Sequence, residues 1–167
     1  MKEMTEGNLK AAFAGESQAH MKYLAFADKA EKEGLANVAR LFRAVSFAEQ
    51  VHATNHLRTF VGLGATKDNL AAAIDGETFE VNEMYPAYLA VANDQAEKSA
   101  ERSMNWAFAA EKVHQAMYAK AKQAVDGGAD AELGKIWICG TCGWTVEGEP
   151  PDKCPICGAR REQFKGF

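Results

Sequence analysis

From Thr5 to about residue 126, apolar and polar positions are spaced as on helices, in a stretch rich in Ala, Glu, Lys and Leu and nearly free of proline. Thr5 is placed to cap a first helix and Gly34 to end it. A second helix is expected from about Leu35 to Val61, closed by Gly62, and a fourth from about Gln95 to Val125, stopped by Gly127 and Gly128. The third segment, from near Thr66 to near Asn93, has two readings. Either it is one helix, or Gly76 breaks it, leaving residues 63–76 as a crossover that carries a short helix and starting the bundle helix near Thr78. About 14 extended residues reach roughly 45 Å, enough to return along a bundle. Pro86 removes a backbone donor and predicts a kink or local unwinding. Long helices with short joins predict a mainly α protein built on a four-helix bundle.

The stretch Asp126–Lys135 is polar and contains glycine, as linkers do. Beyond it, Gly, Pro, Cys and Trp replace Ala and Glu. The chain is therefore expected to divide into a helical domain, residues 1–134, and a small module, residues 135–167. Of the 167 residues 47% are apolar, enough for a packed core. No apolar run nears the roughly 20 residues that span a bilayer, and the first residues lack the apolar stretch of a secretory signal. A cytoplasmic protein with no membrane partner is expected. A net charge of −4 leaves no basic footprint for nucleic acid.

The helical part repeats itself. Ala48–His52 reads AEQVH and Ala110–His114 reads AEKVH, 62 residues apart. Glu16 precedes Glu49 by 33 residues, and Glu80 precedes Glu111 by 31. Two related helix pairs are implied, with Glu16 matching Glu80, Glu49 matching Glu111 and His52 matching His114. His20 and His56 fall opposite Met84 and Tyr118, so neither is expected to be a ligand. Glu83 falls opposite Ala19, which gives one half an additional carboxylate.

Residues three apart share a helix face, so Glu49 with His52, and Glu111 with His114, can each hold one ion. A Glu from each of two helices plus Glu-x-x-His from each of the other two is the donor set of di-iron and di-manganese carboxylate bundles. Carboxylates neutralise the roughly +4 to +6 of two such ions, and imidazole suits iron. A single Glu-x-x-His in an Ala- and Glu-rich chain carries little weight, since acids on helices are usually solvated. Two copies, each preceded by a matching Glu, point to a metal pair.

All four cysteines lie between Cys139 and Cys157. Cys139 and Cys142 form one C-x2-C, Cys154 and Cys157 another, separated by eleven residues. Each pair makes a knuckle, and the two converge on one tetrahedral metal. A module of about 33 residues needs that metal to fold. Zinc and iron both accept four thiolates; aromatic flanks at Trp137 and Trp144, and a redox bundle beside them, favour iron.

Together, AGESQAH around Glu16, AEQVH, GETFEVNEMYP around Glu80 and Glu83, AEKVH and the paired knuckles resemble the rubrerythrin family over nearly the whole chain. The resemblance implies a ferritin-like four-helix bundle joined to a rubredoxin-like module. It implies a non-haem di-iron peroxidase that reduces hydrogen peroxide to water in oxidative stress defence. Electrons would be relayed through one iron on Cys139, Cys142, Cys154 and Cys157. By the same resemblance Glu49 and Glu111 bridge the irons, Glu80 and His114 complete one, and Glu16 completes the other. His52 and Glu83 alternate on that second iron. The implied partners are an electron donor such as rubredoxin or an NAD(P)H-dependent reductase, and a second copy in a homodimer where one subunit's cysteine module approaches the other's di-iron site. Tyr23 and Tyr88 are either hydrogen-bond donors to ligating carboxylates or core aromatics with a satisfied hydroxyl.

Two other functions compete. Iron oxidation and storage needs a cage, which an appended redox module makes awkward. A zinc-ribbon interaction protein with scaffold helices leaves the duplicated ligand set without a purpose.

Overall fold

The structure, a computed structural model, describes all 167 residues. It divides into two compact units, Met1–Leu63 and Gly64–Phe167.

The first unit is a helical hairpin of α1 (Glu3–Lys32) and α2 (Ala36–Phe60). Small residues face the seam: Ala27, Ala30, Ala39, Ser46 and Ala53 are buried, so the two backbones approach closely. The turn is closed by Gly34 at φ 79°, and the Leu35 N–H donates to the Ala30 carbonyl. Only glycine adopts that backbone without a penalty, which is why α1 ends there. His20 is a clamp across this seam. Its Nδ1 lies 2.9 Å from both the Ser46 hydroxyl and the Ser46 carbonyl, and Ser46 is fully buried. Its non-recurrence in the repeat thus has a structural reason.

In the second unit α3 (Thr66–Phe79) runs through one π-helical turn (Glu80–Met84) into α4 (Tyr85–Asp94). This line packs against α5 (Lys98–Asp126). Gly76 lies within α3, so the crossover alternative for residues 63–76 is not what forms. The unwinding expected at Pro86 appears just before it, where the Tyr85 N–H bonds the Glu80 carbonyl. A π turn accommodates a proline by moving the preceding carbonyls out of its way. The α4–α5 turn copies the first hairpin: the Glu97 N–H donates to the Ala92 carbonyl, but Ala96 takes the positive φ of 57°.

Three short strands complete the chain: β1 (Ile136–Cys139), β2 (Thr145–Glu147) and β3 (Phe164–Gly166), antiparallel in the order β2-β1-β3. Their core is Cys139, Cys154 and Phe164, with Trp137, Trp144 and Val146 packed against it. No helix is long and apolar enough to cross a membrane.

Candidate metal centre

Three clusters of metal-binding side chains form, and each is internal to one unit. In the first unit α1 supplies Glu16 and α2 supplies Glu49 and His52. His52 Nδ1 lies 3.0 Å from Glu49 Oε2 and 3.9 Å from Glu16 Oε1. In the second unit α3 supplies Glu77, while α5 supplies Glu111 and His114. His114 Nδ1 lies 2.6 Å from Glu111 Oε2 and 3.9 Å from Glu77 Oε2. The i, i+3 spacing sets the short distance in both, because those residues are neighbours on one helix face.

Glu77 is not expected from the repeat, which matches Glu16 with Glu80. Glu80 sits on the π turn, outside the three-residue cluster but near enough for Glu111 and His114 to act on it. Glu83 is exposed and belongs to no cluster. The sequence does contain the signal for Glu77: Gly15-Glu16-Ser17 is echoed by Gly76-Glu77-Thr78. The offset between halves is 61 residues at Glu16 and Glu77, and 62 at Glu49 and Glu111. The π turn between them holds one extra residue, which accounts for the change.

The electrostatics of the second cluster suit a cation. Burial first, then the neighbouring carboxyl groups of Glu111 and Glu80, push the Glu77 carboxyl up from 4.5 to about 7. Glu80 is raised as well, mainly by burial and then by the charge of Glu111, with His114 opposing. Glu77 Oε2 is buried without any hydrogen-bond partner. A lone carboxylate oxygen in that position is costly, and a cation beside His114 and Glu111 removes the cost. Two or three oxygens with one imidazole nitrogen suit iron or manganese.

Of the two tyrosines singled out, Tyr23 packs on Phe26 and Phe42 at 6.2 and 6.1 Å between ring centres, and Tyr88 is 51% exposed. Tyr85 is the one that faces the acids. Its hydroxyl is raised by burial first and then by the charges of Glu111, Glu80 and Glu77. Tyr85 comes 62 residues after Tyr23, so it too repeats once the π turn is counted.

The third cluster is the four cysteines, whose sulfurs lie within 4.8 Å of one another. Cys139 and Cys157 Sγ are 3.6 Å apart, as are Cys142 and Cys154 Sγ. Four thiolates about 2.3 Å from a tetrahedral metal would be separated by about 3.8 Å, so the cage is of the right size. Gly143 and Gly158, at φ 81° and 75°, come directly after the second cysteine of each knuckle, and their N–H groups donate to the Cys139 and Cys154 carbonyls. Burial opposes ionisation of Cys139, but the Thr141 and Cys142 amides and the neighbouring thiols outweigh it and bring that thiol down to about 7. Cys142 is pushed up, chiefly by burial. Cys157 is raised too, again chiefly by burial, and a cation among the sulfurs would favour the ionised form of both raised thiols. The residues present fit iron at both kinds of site.

The cysteine module rests on α5 of its own chain. Thr145 Oγ1 lies 2.7 Å from His114 Nε2, and Lys120 Nζ lies 3.1 Å from Glu147 Oε2.

Comparison with known proteins agrees with this chemistry. Residues 7–122 match the rubrerythrin family, and residues 137–165 match the rubredoxin-like domain of rubrerythrins. Rubrerythrin-2 of Clostridium acetobutylicum is 38% identical, the alignment covering 98% of this chain and 97% of that protein. Nigerythrin of Nitratidesulfovibrio vulgaris is 34% identical over 96% of this chain and 85% of its own. The solved structure of nigerythrin in its fully reduced, all-ferrous state is 32% identical, with a TM-score of 0.57, covering 98% of this chain and 86% of that one. With both segments matched in their order, the chain belongs to the rubrerythrin family.

Proposed function

We propose that the protein is a non-haem di-iron peroxidase that reduces hydrogen peroxide to water. The observation that carries this reading is the pair of Glu–Glu–His clusters with the same internal geometry, on a chain that also bears a four-thiolate cage. Glu16, Glu49, His52, Glu77, Glu111 and His114 hold two irons, and Cys139, Cys142, Cys154 and Cys157 hold a third. When bound, the paired irons supply the two electrons that cleave the O–O bond, and the thiolate-bound iron replaces them singly from an external donor such as rubredoxin or an NAD(P)H-dependent reductase.

The side chains have separate tasks. Glu49 and Glu111 would each hold iron together with the histidine on the same helix face. Glu80 takes the exchanging role that the family resemblance gave to Glu83, because Glu80 is the additional acid that the second cluster acts on. His52, more than half exposed, is its counterpart in that exchange. Reducing peroxide to two waters consumes two protons, and the Tyr85 hydroxyl, neutral at working pH, is placed among the acids to hold one. Peroxide is small and needs no shaped pocket. The domain boundary near residue 134, a cytoplasmic setting that keeps four thiols reduced, and a homodimer complete the proposal.

Metal analysis with an optical spectrum tests it. The expected result is iron at both sites, with thiolate-to-iron charge-transfer bands that bleach on reduction and return with peroxide. Zinc at the cysteines with no bleaching would make the protein a structural ribbon instead. Sedimentation tests the homodimer.

A further inference from the structure

Thr145 has no place in the ligand sets, yet it is only 2% exposed and bonds both a ligand of one set and the residue that follows a ligand of the other. Its Oγ1 lies 2.7 Å from His114 Nε2 and 3.2 Å from the Gly143 carbonyl, to which it donates. Gly143 is joined by a peptide bond to Cys142. On the other side of the imidazole, Nδ1 faces Glu111 and Glu77. With a cation on the carboxylates, the Nδ1 lone pair is committed and the ring's proton resides on Nε2. The cavity beside the ring is lined by Met117, Ile136 and Ile138, which offer no hydrogen-bonding side chain, and by Thr145 and Tyr118, which do; of these two it is Thr145 that bonds Nε2.

We infer that Thr145 is a positioning residue that fixes His114 as an Nδ1 ligand and joins the carboxylate–histidine set to the thiolate set. The connection runs from His114 Nε2–H to Thr145 Oγ1, from Thr145 Oγ1–H to the Gly143 carbonyl, and along the Gly143 backbone and its peptide bond to Cys142. It rests on the reading of His114 and Cys142 as metal ligands. With iron held at both sites, the connection would serve a one-electron transfer from the thiolate site to the carboxylate–histidine site, with no bond made or broken. Both hydrogen-bond protons stay on their donors. Partners of this kind on a ligating histidine commonly change affinity or activity by about 10- to 100-fold when removed.

The test uses the full chain. Loaded with zinc at both sites, the wild type should show by 15N NMR a metal-bound Nδ1 on His114 and a slowly exchanging Nε2 proton. Thr145→Val should lose that protection, and Thr145→Ser should restore it. Loaded with iron and reduced, Thr145→Val should regain its thiolate colour after peroxide about tenfold more slowly. Its oxidised spectrum and four-cysteine iron content should match the wild type, which shows the module is folded. Thr145→Ser should recover the rate. An unaltered rate in Thr145→Val overturns the connection, and a retained slow proton overturns the positioning role. A wild-type His114 that does not bind zinc through either nitrogen would instead sink the di-metal reading on which the inference stands.

Discussion

The Glu16–Glu49–His52 and Glu77–Glu111–His114 clusters have the same donors at nearly the same distances but different surroundings. His52 has 54% of its side chain exposed, and its outer nitrogen has no protein hydrogen bond; His114 is 29% exposed and is held at Nε2 by Thr145. Glu77 is raised and orphaned, and it has Glu80 for a neighbour. The same three ligands are therefore pinned in one unit and left free to move in the other. Duplication supplied the donors, and local packing assigns them different behaviour.

The strongest challenge to this comparison is to disable each half in turn. Glu49→Ala and Glu111→Ala should each abolish the spectrum of both carboxylate-bound irons and lower peroxide turnover at least about 100-fold, the upper end even for supporting residues. If each variant instead keeps half the iron, the clusters are independent sites. Next in size is the placement of the asymmetric acid. Glu80→Ala should slow turnover about tenfold, within the range for groups that tune a metal site, whereas Glu83→Ala should match the wild type in steady-state assays.

The acids also predict a dependence on pH that belongs to the second unit. The folded Glu77 carboxyl, at about 7, lies above its ordinary 4.5, so the folded metal-free chain retains a proton that the unfolded chain releases. Stability from this group is fully present below about 4.5 and is lost as pH rises through about 7. Melting temperatures of the metal-free protein should fall across that interval, and Glu77→Gln should flatten the slope. Iron should reverse the trend, because it binds the folded state with its carboxylates ionised. The smallest effect concerns the two hairpin turns. Ala96 occupies the backbone that Gly34 occupies in the first hairpin. Ala96→Gly should stabilise the protein by about 1 kcal/mol and Gly34→Ala should cost about as much, both measurable by denaturant titration.

Much of this architecture was legible in the residues. Glu-x-x-His needs only helical periodicity to be read, so Glu49 with His52 and Glu111 with His114 came directly from the repeat. The paired knuckles needed only their spacing. Glu77 was harder, because a π turn leaves no signature in composition and shifts the register of everything before it by one residue. Matching Glu16 to Glu80 ignores that shift, and it is what makes Glu83 stand out as the additional acid. Tyr85 escapes notice beside Tyr88 for the same reason. The helix through Gly76 was also ambiguous, since one glycine costs a helix interior only about 1 kcal/mol, which the residues around it can outweigh. The Thr145 contact joins residues 31 apart and depends on how the sheet rests on α5, which no local pattern encodes.

The π turn at Glu80–Met84 has one further consequence. A π turn absorbs an added residue within one turn, so the helix on either side keeps its facing and only the residues of the turn are re-aimed. A single inserted codon is therefore enough to swing a spare acid towards a metal while every later position keeps its ancestral partner. Two halves that began as copies can acquire unequal chemistry without any ligand being replaced, and deletion of one residue from that turn would be the shortest route back to equivalence.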